Sequence, residues 1–326
     1  FSVLLRFPLG MATVSSIKTI GLRHESKSEH ERRCALVPSD LKDVLQDSGC
    51  SLVVQPSETR CLPIKDFEDL GAKVSADMSD CDVIMGIKEV PKNELLANKT
   101  YCFFSHVIKG QPYNMPLLQK LLDLKTNLFD YEKLVNERGQ RVVAFGKQAG
   151  QCGTLNGFNS LNLRLAALGK ENPFDICKQA KEYPNLATAK ADLTAVGQKI
   201  MANGLPKDMV PFVVGVSGKG NVASGVFDVM SALPCLKEWT PAEMQANMAS
   251  GSYDDKSIYM VVIDGGDLYE LKENPNASEF TFQAFGEAPE KYTSPIPRFL
   301  PSMTMFINAV FWRNEWPKFI TQVHSH

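Results

Sequence analysis

The segment VPFVVGVSGKGNVASG, residues 210–225, constrains the fold more than any other part of the chain. A run of apolar, mostly β-branched residues leads directly into Gly218-Lys219-Gly220, and a second apolar stretch follows at residues 226–233. A buried strand, a glycine-rich turn and a helix in this order are typical of α/β proteins that bind dinucleotides. The pattern therefore predicts a parallel sheet with the turn at the carboxyl end of a strand.

The spacing of the turn fits the pattern G-x-G-x-x-A, and each small residue has a physical role. Gly218 permits the tight turn, and Gly220 lacks a Cβ, so the backbone can approach a pyrophosphate. Ala223 is small enough for the helix to pack against the strand. Asn221 and Val222 would open that helix and present free amides to phosphate groups. Glycine-rich turns also occur where a loop only needs a positive φ, so the prediction depends on the flanking strand and helix.

The choice of nicotinamide cofactor depends on the end of the following strand, predicted at residues 235–240. A carboxylate about 20 residues after the turn normally binds the ribose 2′-hydroxyl of NAD. Here that position falls on or near Thr240, and a neutral residue leaves room for a 2′-phosphate. The sequence thus favours NADPH over NADH, although a shift of two residues would bring in Glu238 and reverse the argument.

Composition excludes several classes of function. The 326 residues carry a formal net charge of −2 and no long basic run, which argues against a nucleic-acid partner. No apolar stretch reaches the length of a membrane span. The eight cysteines are scattered without a C-x-x-C pair, so free thiols are expected and no metal site is predicted.

Strand and helix patterns alternate along the first half of the chain, which favours a parallel sheet covered by helices. The predicted strands lie at residues 17–22, 51–55, 81–87, 100–105, 126–129 and 141–145. Helices are predicted at residues 40–46, with Ser39 as N-cap and Gly49 as terminator, and at residues 64–70, 115–124 and 149–168. Residues 170–207 are expected to be a polar, proline-containing bridge to the second sheet. The fold class is α/β with two Rossmann-like domains, residues 17–146 and 147–326, after an N-terminal extension at residues 1–16.

Three predicted strands of the first domain end in an ionisable residue: Arg23, Lys88 and His106. Any one of them is readily explained as the first solvated residue beyond a strand, or as a half-buried histidine. Because parallel strands end at a common edge, the three together predict a site. Further charged residues follow at Lys109, Glu132 and Arg141.

Longer segments resemble a known family. GLRHESKSEHERRCALVPSD, residues 21–40, is similar to the opening of the alanine dehydrogenase and transhydrogenase N-terminal domain superfamily, with RCALVP for its R-x-A-L-x-P signature. GIKEVP, FFSHVIKGQ, DYEKLVNERGQRVVAFG and SGKGNVASG resemble the lysine-ketoglutarate reductase branch, the reductase half of aminoadipic semialdehyde synthase. This branch is related to the fungal lysine-forming saccharopine dehydrogenases. FFSHVIKGQ argues against an alanine dehydrogenase.

The resemblance implies a reaction in which the ε-amine of L-lysine condenses with 2-oxoglutarate and NADPH reduces the imine to saccharopine. It places the acid–base residues at Lys88 and His106, which suit proton shuttling near neutral pH. Glu132 is expected near the catalytic lysine. The resemblance places the substrate carboxylates on four cations: Arg23, Arg33, Lys109 and Arg141.

The resemblance also implies a mitochondrial location, with the cytoplasm as the alternative, and a saccharopine dehydrogenase domain fused to or following this chain. Members of the branch continue beyond the segment that matches residues 311–317, so the second domain is expected to be incomplete at its C-terminus. Two other functions stay open. One is an NAD-linked, lysine-forming saccharopine dehydrogenase, and the other is a truncated, non-catalytic module that binds lysine or cofactor.

Overall fold

The computed structural model describes residues 17–275 and 280–321, and the chain divides into two compact units. The first unit ends at Ala144 and the second begins at Phe145. The predicted N-terminal extension, residues 1–16, lies outside the described residues.

The first unit contains one six-stranded sheet in the order β3-β2-β1-β4-β5-β6, with every neighbouring pair parallel. Its strands are β1 (Thr19–Leu22), β2 (Ser51–Val54), β3 (Lys73–Val74), β4 (Val83–Met85), β5 (Thr100–Phe103) and β6 (Asn127–Asp130). Its helices are α1 (Pro38–Ser48), α2 (Ile64–Glu68) and α3 (Met115–Asp123). The predicted parallel α/β architecture is confirmed for this unit.

The central strands of this sheet are packed on both faces, as is typical of parallel sheets. One face packs in a cluster that includes Leu22, Leu41 and Phe67, all fully buried. The other face packs around Tyr101 and Phe103. With both faces covered, the polar side chains that follow each strand remain at the edge of the sheet.

Two local predictions for the first unit are wrong. Helix α1 begins at Pro38 rather than after Ser39, because proline fits the first helical position, where no N–H is needed. Residues 141–145 do not form a strand. Arg141 makes only an isolated antiparallel bridge to Val135, which closes a small hairpin beyond the sheet. The C-terminal prediction for α1 is confirmed, since Gly49 adopts a left-handed φ of 66°.

The second unit contains a parallel sheet in the order β12-β7-β9-β8. Its helices are α4 (Gly146–Ala167), α5 (Leu186–Asn203), α6 (Asn221–Met230), α7 (Pro241–Ser250), α8 (Phe282–Glu287) and α9 (Ile296–Phe299). The sheet strands are β7 (Phe212–Ser217), β8 (Leu236–Trp239), β9 (Ile258–Ile263) and β12 (Met305–Asn308). Strands β10 (Glu270–Leu271) and β11 (Tyr292–Thr293) form a separate antiparallel pair.

Helix α6, which follows the glycine-rich turn, is held by close packing against α4. A Cβ on Gly150 would come within 1.9 Å of the carbonyl oxygen of Val222, and a Cβ on Gly225 within 1.9 Å of that of Lys147. Both glycines are therefore required for this helix contact, which fixes where α6 begins.

Helix α5 is a feature that the sequence prediction missed. It lies within the stretch expected to be a polar bridge, but Ala189, Leu193, Val196 and Ile200 form one fully buried face. These small and medium apolar residues recur at helical spacing among polar ones. Within residues 17–275 and 280–321, no helix combines the length and the apolar character that crossing a membrane requires.

Candidate active site

Functional side chains of the first unit gather where its parallel strands end. Arg23 follows β1, Lys88 lies shortly after β4, and His106 lies shortly after β5. Glu132 follows β6 in a single turn of 3₁₀ helix. Since the carboxyl ends of parallel strands share one edge, this arrangement is where an α/β protein is expected to place a site.

A cavity of about 670 Å³ opens at this edge and brings Lys88, His106 and Lys109 together. Glu31 and Glu89 also line it, and both are buried. The rest of the wall is formed by Lys27, Ser28, His30, Gln111 and Tyr113. The cavity thus combines cations suited to carboxylate ligands with groups able to transfer protons.

His106 is held by an unusual backbone conformation and by two side-chain contacts. It has a positive φ of 57°, which is uncommon outside glycine and turns the chain sharply after β5. Its ring stacks on Phe104, with centroids 6.2 Å apart and planes 20° from parallel. Its Nδ1 lies 3.1 Å from Oε2 of Glu132, so the imidazole is oriented from both sides.

Glu132 is the carboxylate partner of three basic side chains, those of His106, Lys109 and Arg141. Its Oε1 lies 3.4 Å from Nζ of Lys109 and 3.8 Å from Nη1 of Arg141. Its main-chain N–H donates to Oδ1 of Asp130 at 2.8 Å, which fixes the turn. Burial alone would raise the pKa of Glu132, but the hydrogen bond from His106 and the charges of His106 and Lys109 lower it overall. Glu132 is therefore ionised at neutral pH.

Glu31 and Arg33 form a bidentate pair beside the same cavity. The guanidinium of Arg33 donates to Oε1 and Oε2 of Glu31 at 2.8 and 2.7 Å. Burial raises the pKa of Glu31, but the hydrogen bonds and charge of Arg33, with a contribution from Lys88, bring it below its usual value. The hydrogen bonds from Arg33 hold a carboxylate in the wall that also contains Lys88.

Arg23 and Arg141 lie outside the group of residues that line this cavity. Arg23 is buried and lines a separate cavity of about 240 Å³. Its Nη2 donates to Glu94 at 2.5 Å, so its guanidinium is already paired with a protein carboxylate. Arg141 packs over the ring of Phe104, 5.9 Å from its centroid. The structure thus brings Lys88, His106 and Lys109 together in one cavity, and it joins Arg141 to them through Glu132 and Phe104.

Several residues of this site were missed by the sequence prediction. Lys27, Glu31 and Gln111 lie in loops, Tyr113 lies in a single turn of 3₁₀ helix, and Glu89 directly follows Lys88. Residues 24–31 fold back over the end of β4, and no periodic pattern in the sequence predicts this contact. The one available signal was the density of charged residues between Arg23 and Arg33.

In the second unit, the predicted glycine-rich turn lies at the end of β7 as expected. Gly218 has a φ of 80°, and a Cβ there would approach Cγ1 of Val310 to 2.5 Å. A Cβ on Gly220 would instead enter open space, in the wall of a cavity of about 530 Å³. Gly218 is thus required by the fold, whereas Gly220 leaves room for a ligand at the backbone.

The residues of this cavity fit a nicotinamide dinucleotide. Helix α6 begins at Asn221, so the amides of its first turn have no acceptor within the helix and can bind phosphate. Gly218, Lys219, Gly220, Asn221 and Val222 line one side of the cavity. Leu268, Tyr269, Phe282, Phe311 and Trp316 provide an apolar side, which suits a planar ring. Ala223 is fully buried and does not line the cavity, in keeping with the predicted packing role.

Thr240 lines a neighbouring cavity of about 540 Å³ together with Lys219, Glu238 and Glu243. Thr240 is the N-cap of α7, and its hydroxyl accepts a hydrogen bond from the N–H of Glu243 at 3.1 Å. The carboxylate of Glu243 in turn accepts from the N–H and the hydroxyl of Thr240 at 2.7 and 2.9 Å. These hydrogen bonds from the backbone and side chain of Thr240 lower the pKa of Glu243. The ionised carboxylate of Glu243 is therefore hydrogen-bonded directly to the neutral residue Thr240.

Comparison with known proteins assigns the class of the first unit. Residues 21–152 match the family described as "Alanine dehydrogenase/PNT, N-terminal domain". The match includes the opening segment, residues 21–40, whose resemblance to this family was noted from sequence.

Sequence similarity to known proteins extends along most of the chain. The mouse protein "Alpha-aminoadipic semialdehyde synthase, mitochondrial" is 33% identical over 304 residues, which cover 93% of this chain and 32% of the relative. The Arabidopsis thaliana alpha-aminoadipic semialdehyde synthase is 33% identical over 314 residues, covering 91% of this chain and 29% of the relative. The chain therefore spans about a third of the length of these synthases. A Candida albicans "Saccharopine dehydrogenase [NAD(+), L-lysine-forming]" is 31% identical over 240 residues, 68% of this chain and 61% of the relative. The resemblance to the aminoadipic semialdehyde synthases and saccharopine dehydrogenases is confirmed.

Proposed function

We propose that this chain is a lysine-2-oxoglutarate reductase. In this reaction L-lysine, 2-oxoglutarate, NADPH and a proton give saccharopine, NADP⁺ and water. The observation that carries the proposal is the single cavity that unites Lys88, His106 and Lys109, with the Glu132 carboxylate behind them. The kinship with the synthases and saccharopine dehydrogenases supports the same reaction class.

The groups in the cavity suit the proton transfers that the condensation requires. When the ε-amine of lysine attacks the ketone, the amine loses a proton and the carbonyl oxygen gains one. Loss of water from the carbinolamine then needs a second proton at the departing oxygen. Lys88 and His106 are the two groups proposed to accept and donate these protons, and Glu132 holds the imidazole in place.

The cations suit a pair of substrates that bear three carboxylates in all. Lys109 lines the cavity and is exposed, so it can pair with a substrate carboxylate as well as with Glu132. Arg33 is also exposed on one side while Glu31 holds it on the other. Arg23 and Arg141 are proposed only as supporting residues, because Arg23 is buried beside Glu94 in a separate cavity and Arg141 packs on Phe104 and pairs with Glu132.

The second unit is proposed to hold the nicotinamide cofactor, which supplies the hydride for the imine. Gly218, Gly220, Asn221 and Val222 would hold the pyrophosphate. The choice of NADPH as cofactor is supported by Lys219, a cation that lines the same cavity as Thr240. A 2′-phosphate placed beside this side chain would gain a charge-assisted contact.

An NAD-linked saccharopine dehydrogenase is the second candidate, and one observation favours it. Glu238 and Glu243 both line the cavity near Thr240, and a carboxylate there would accept a hydrogen bond from a ribose 2′-hydroxyl and repel a 2′-phosphate. The Candida albicans relative carries NAD(+) in its name. We further propose a mitochondrial location, on the strength of the mammalian relatives' names, and a saccharopine dehydrogenase portion in the same pathway or polypeptide.

The test is the identity of the product. Purified protein is incubated with ¹⁵N-ε-labelled L-lysine, 2-oxoglutarate and NADPH, and the mixture is analysed by mass spectrometry. The proposal expects saccharopine that retains the label, and none when either substrate is omitted. Cofactor binding without any saccharopine, with NADPH or with NADH, would instead identify a non-catalytic binding module.

A further inference from the structure

Glu25 lies outside the cavity but contacts the backbone that carries Lys88. Its side chain is about 4% exposed, and its two oxygens accept hydrogen bonds from successive main-chain amides. Oε1 accepts from the N–H of Ile87 at 2.7 Å, and Oε2 accepts from the N–H of Lys88 at 2.9 Å. The Glu25 carboxylate thereby binds the backbone just after β4, up to Lys88, which lines the cavity.

The position of Glu25 is itself fixed from the other side. Nη1 of Arg23 lies 3.9 Å from Oε2 of Glu25, while Nη2 of Arg23 donates to Ser26 at 2.9 Å and to Glu94 at 2.5 Å. A Cβ on Gly86 would approach Cδ of Arg23 to 3.0 Å and Oε1 of Glu25 to 3.2 Å. The buried pair therefore packs directly against the strand end at Gly86.

We propose that Glu25 is a positioning residue for Lys88, and that Arg23 serves the site by holding Glu25 rather than by binding substrate. The inference rests on the proposed function only in calling Lys88 catalytic. A buried carboxylate that satisfies two consecutive amides fixes the backbone of the second residue, because an unpaired amide in this setting is costly. Loss of these two hydrogen bonds from Glu25 releases the backbone at Lys88. The side chains that line the cavity from the turns after the other strands stay in place.

The experiment compares Glu25→Gln with Glu94→Gln. Glutamine at position 25 is isosteric, but its amide group would face one of the two N–H donors, so one hydrogen bond is lost. Glu94→Gln removes a charge from the same Arg23 network without touching the main chain of Lys88. We expect Glu25→Gln to lower kcat roughly tenfold to a hundredfold with an unchanged KM for NADPH, and Glu94→Gln to leave kcat within about twofold.

A second readout does not depend on activity. The protein is labelled with a limiting amount of an amine-reactive reagent, and modification of Lys88 is measured by mass spectrometry relative to exposed Lys42. Release of the segment raises the ratio at least threefold in Glu25→Gln and leaves it unchanged in Glu94→Gln. Glu25→Asp keeps the charge toward Arg23 but is too short to reach both amides, so the ratio rises there as well.

The outcomes separate this inference from the proposed function. If the wild type makes no saccharopine, the proposed function fails, and the labelling ratio still decides the role of Glu25. Equal Lys88 labelling in wild type, Glu25→Gln and Glu25→Asp would overturn the positioning role whatever the activity. Equal effects of Glu25→Gln and Glu94→Gln on kcat would also overturn it, since they would point to general destabilisation of the network.

Discussion

Oε2 of Glu132 lies 3.1 Å from Nδ1 of His106, and this pair connects the turn after β6 to the turn after β5. The other oxygen of Glu132 faces Lys109 and Arg141. One carboxylate therefore balances the charges of several groups at the cavity and orients the imidazole.

Replacing Glu132 by glutamine tests this charge balance through the pH dependence of the melting temperature. Burial raises the pKa of Glu132, but its hydrogen bond with His106 and the neighbouring charges bring that pKa below the usual value for glutamic acid, so the ionised form is favoured in the folded protein. Its contribution to the free energy of unfolding is then fully present above about pH 4.5 and is lost as the pH falls through the folded-state value. We expect the melting temperature of Glu132→Gln to lie below that of the wild type at pH 7, with the gap closing at acidic pH.

Exposed Glu137, in the small hairpin that follows the turn of Glu132, provides the control for this measurement. Glu137→Gln should follow the wild type at every pH. A gap between Glu132→Gln and wild type that is constant from pH 7 down to acidic pH would contradict the charge-balance account.

His106 has a left-handed backbone, which allows strain and chemistry to be separated. Asparagine tolerates a positive φ better than glutamine does. We expect His106→Asn and His106→Gln both to lower turnover roughly a hundredfold, as for a lost acid–base group. Only the glutamine variant should also lower the melting temperature. Full turnover in His106→Asn would remove His106 from the mechanism.

The two glycines of the nucleotide turn should respond differently to substitution. Gly220 has a φ of −78°, which any residue can adopt, and its Cβ would enter the cavity. Gly220→Val is therefore expected to weaken NADPH binding tenfold or more, measured by titration calorimetry, without a change in melting temperature. Gly218→Ala is expected to lower stability by roughly 1–2 kcal/mol because of its positive φ, besides the contact with Val310. Unchanged NADPH affinity in Gly220→Val would place the cofactor elsewhere.

Glu243 is predicted to limit the preference for NADPH. Glu243→Gln removes the negative charge in the cavity that Thr240 lines but keeps an oxygen for the N–H of Thr240, so α7 remains capped. The ratio of kcat/KM for NADPH to that for NADH should rise about three- to fivefold, as expected for one exposed charge. Glu68→Gln, on α2 of the first unit, should leave the ratio unchanged. A fall in the ratio with Glu243→Gln would show that this carboxylate does not face the ribose.

The parts of the fold that depend on local pattern were predictable from sequence. Gly218 and Gly220 mark the glycine-rich turn because the positive φ of Gly218 and the short spacing between the two glycines are local features. Lys88 and His106 could be placed at one edge because parallel strands share a direction. The capping pair Thr240 and Glu243 was also readable from its spacing, although its effect on the cofactor argument was missed.

Features that depend on long-range packing could not be predicted. Arg23 has the same local setting as Lys88, a charged residue after an apolar strand, yet Glu94, seventy-one positions along the chain, pairs with it and keeps it out of the cavity. Glu25 contacts Lys88 across 63 positions. A strand at residues 141–145 was predicted from its apolar residues, but Val142 is exposed and no strand lies beside it for pairing.

The most direct test of the proposed function is the rate of NADPH oxidation by the purified protein with L-lysine and 2-oxoglutarate, measured beside Lys88→Met and the exposed-lysine control Lys92→Met. The proposal predicts oxidation that requires both substrates, falls roughly a hundredfold or more in Lys88→Met with an unchanged melting temperature, and is retained in Lys92→Met. Oxidation that proceeds with either substrate alone, or equally well in Lys88→Met, would contradict it.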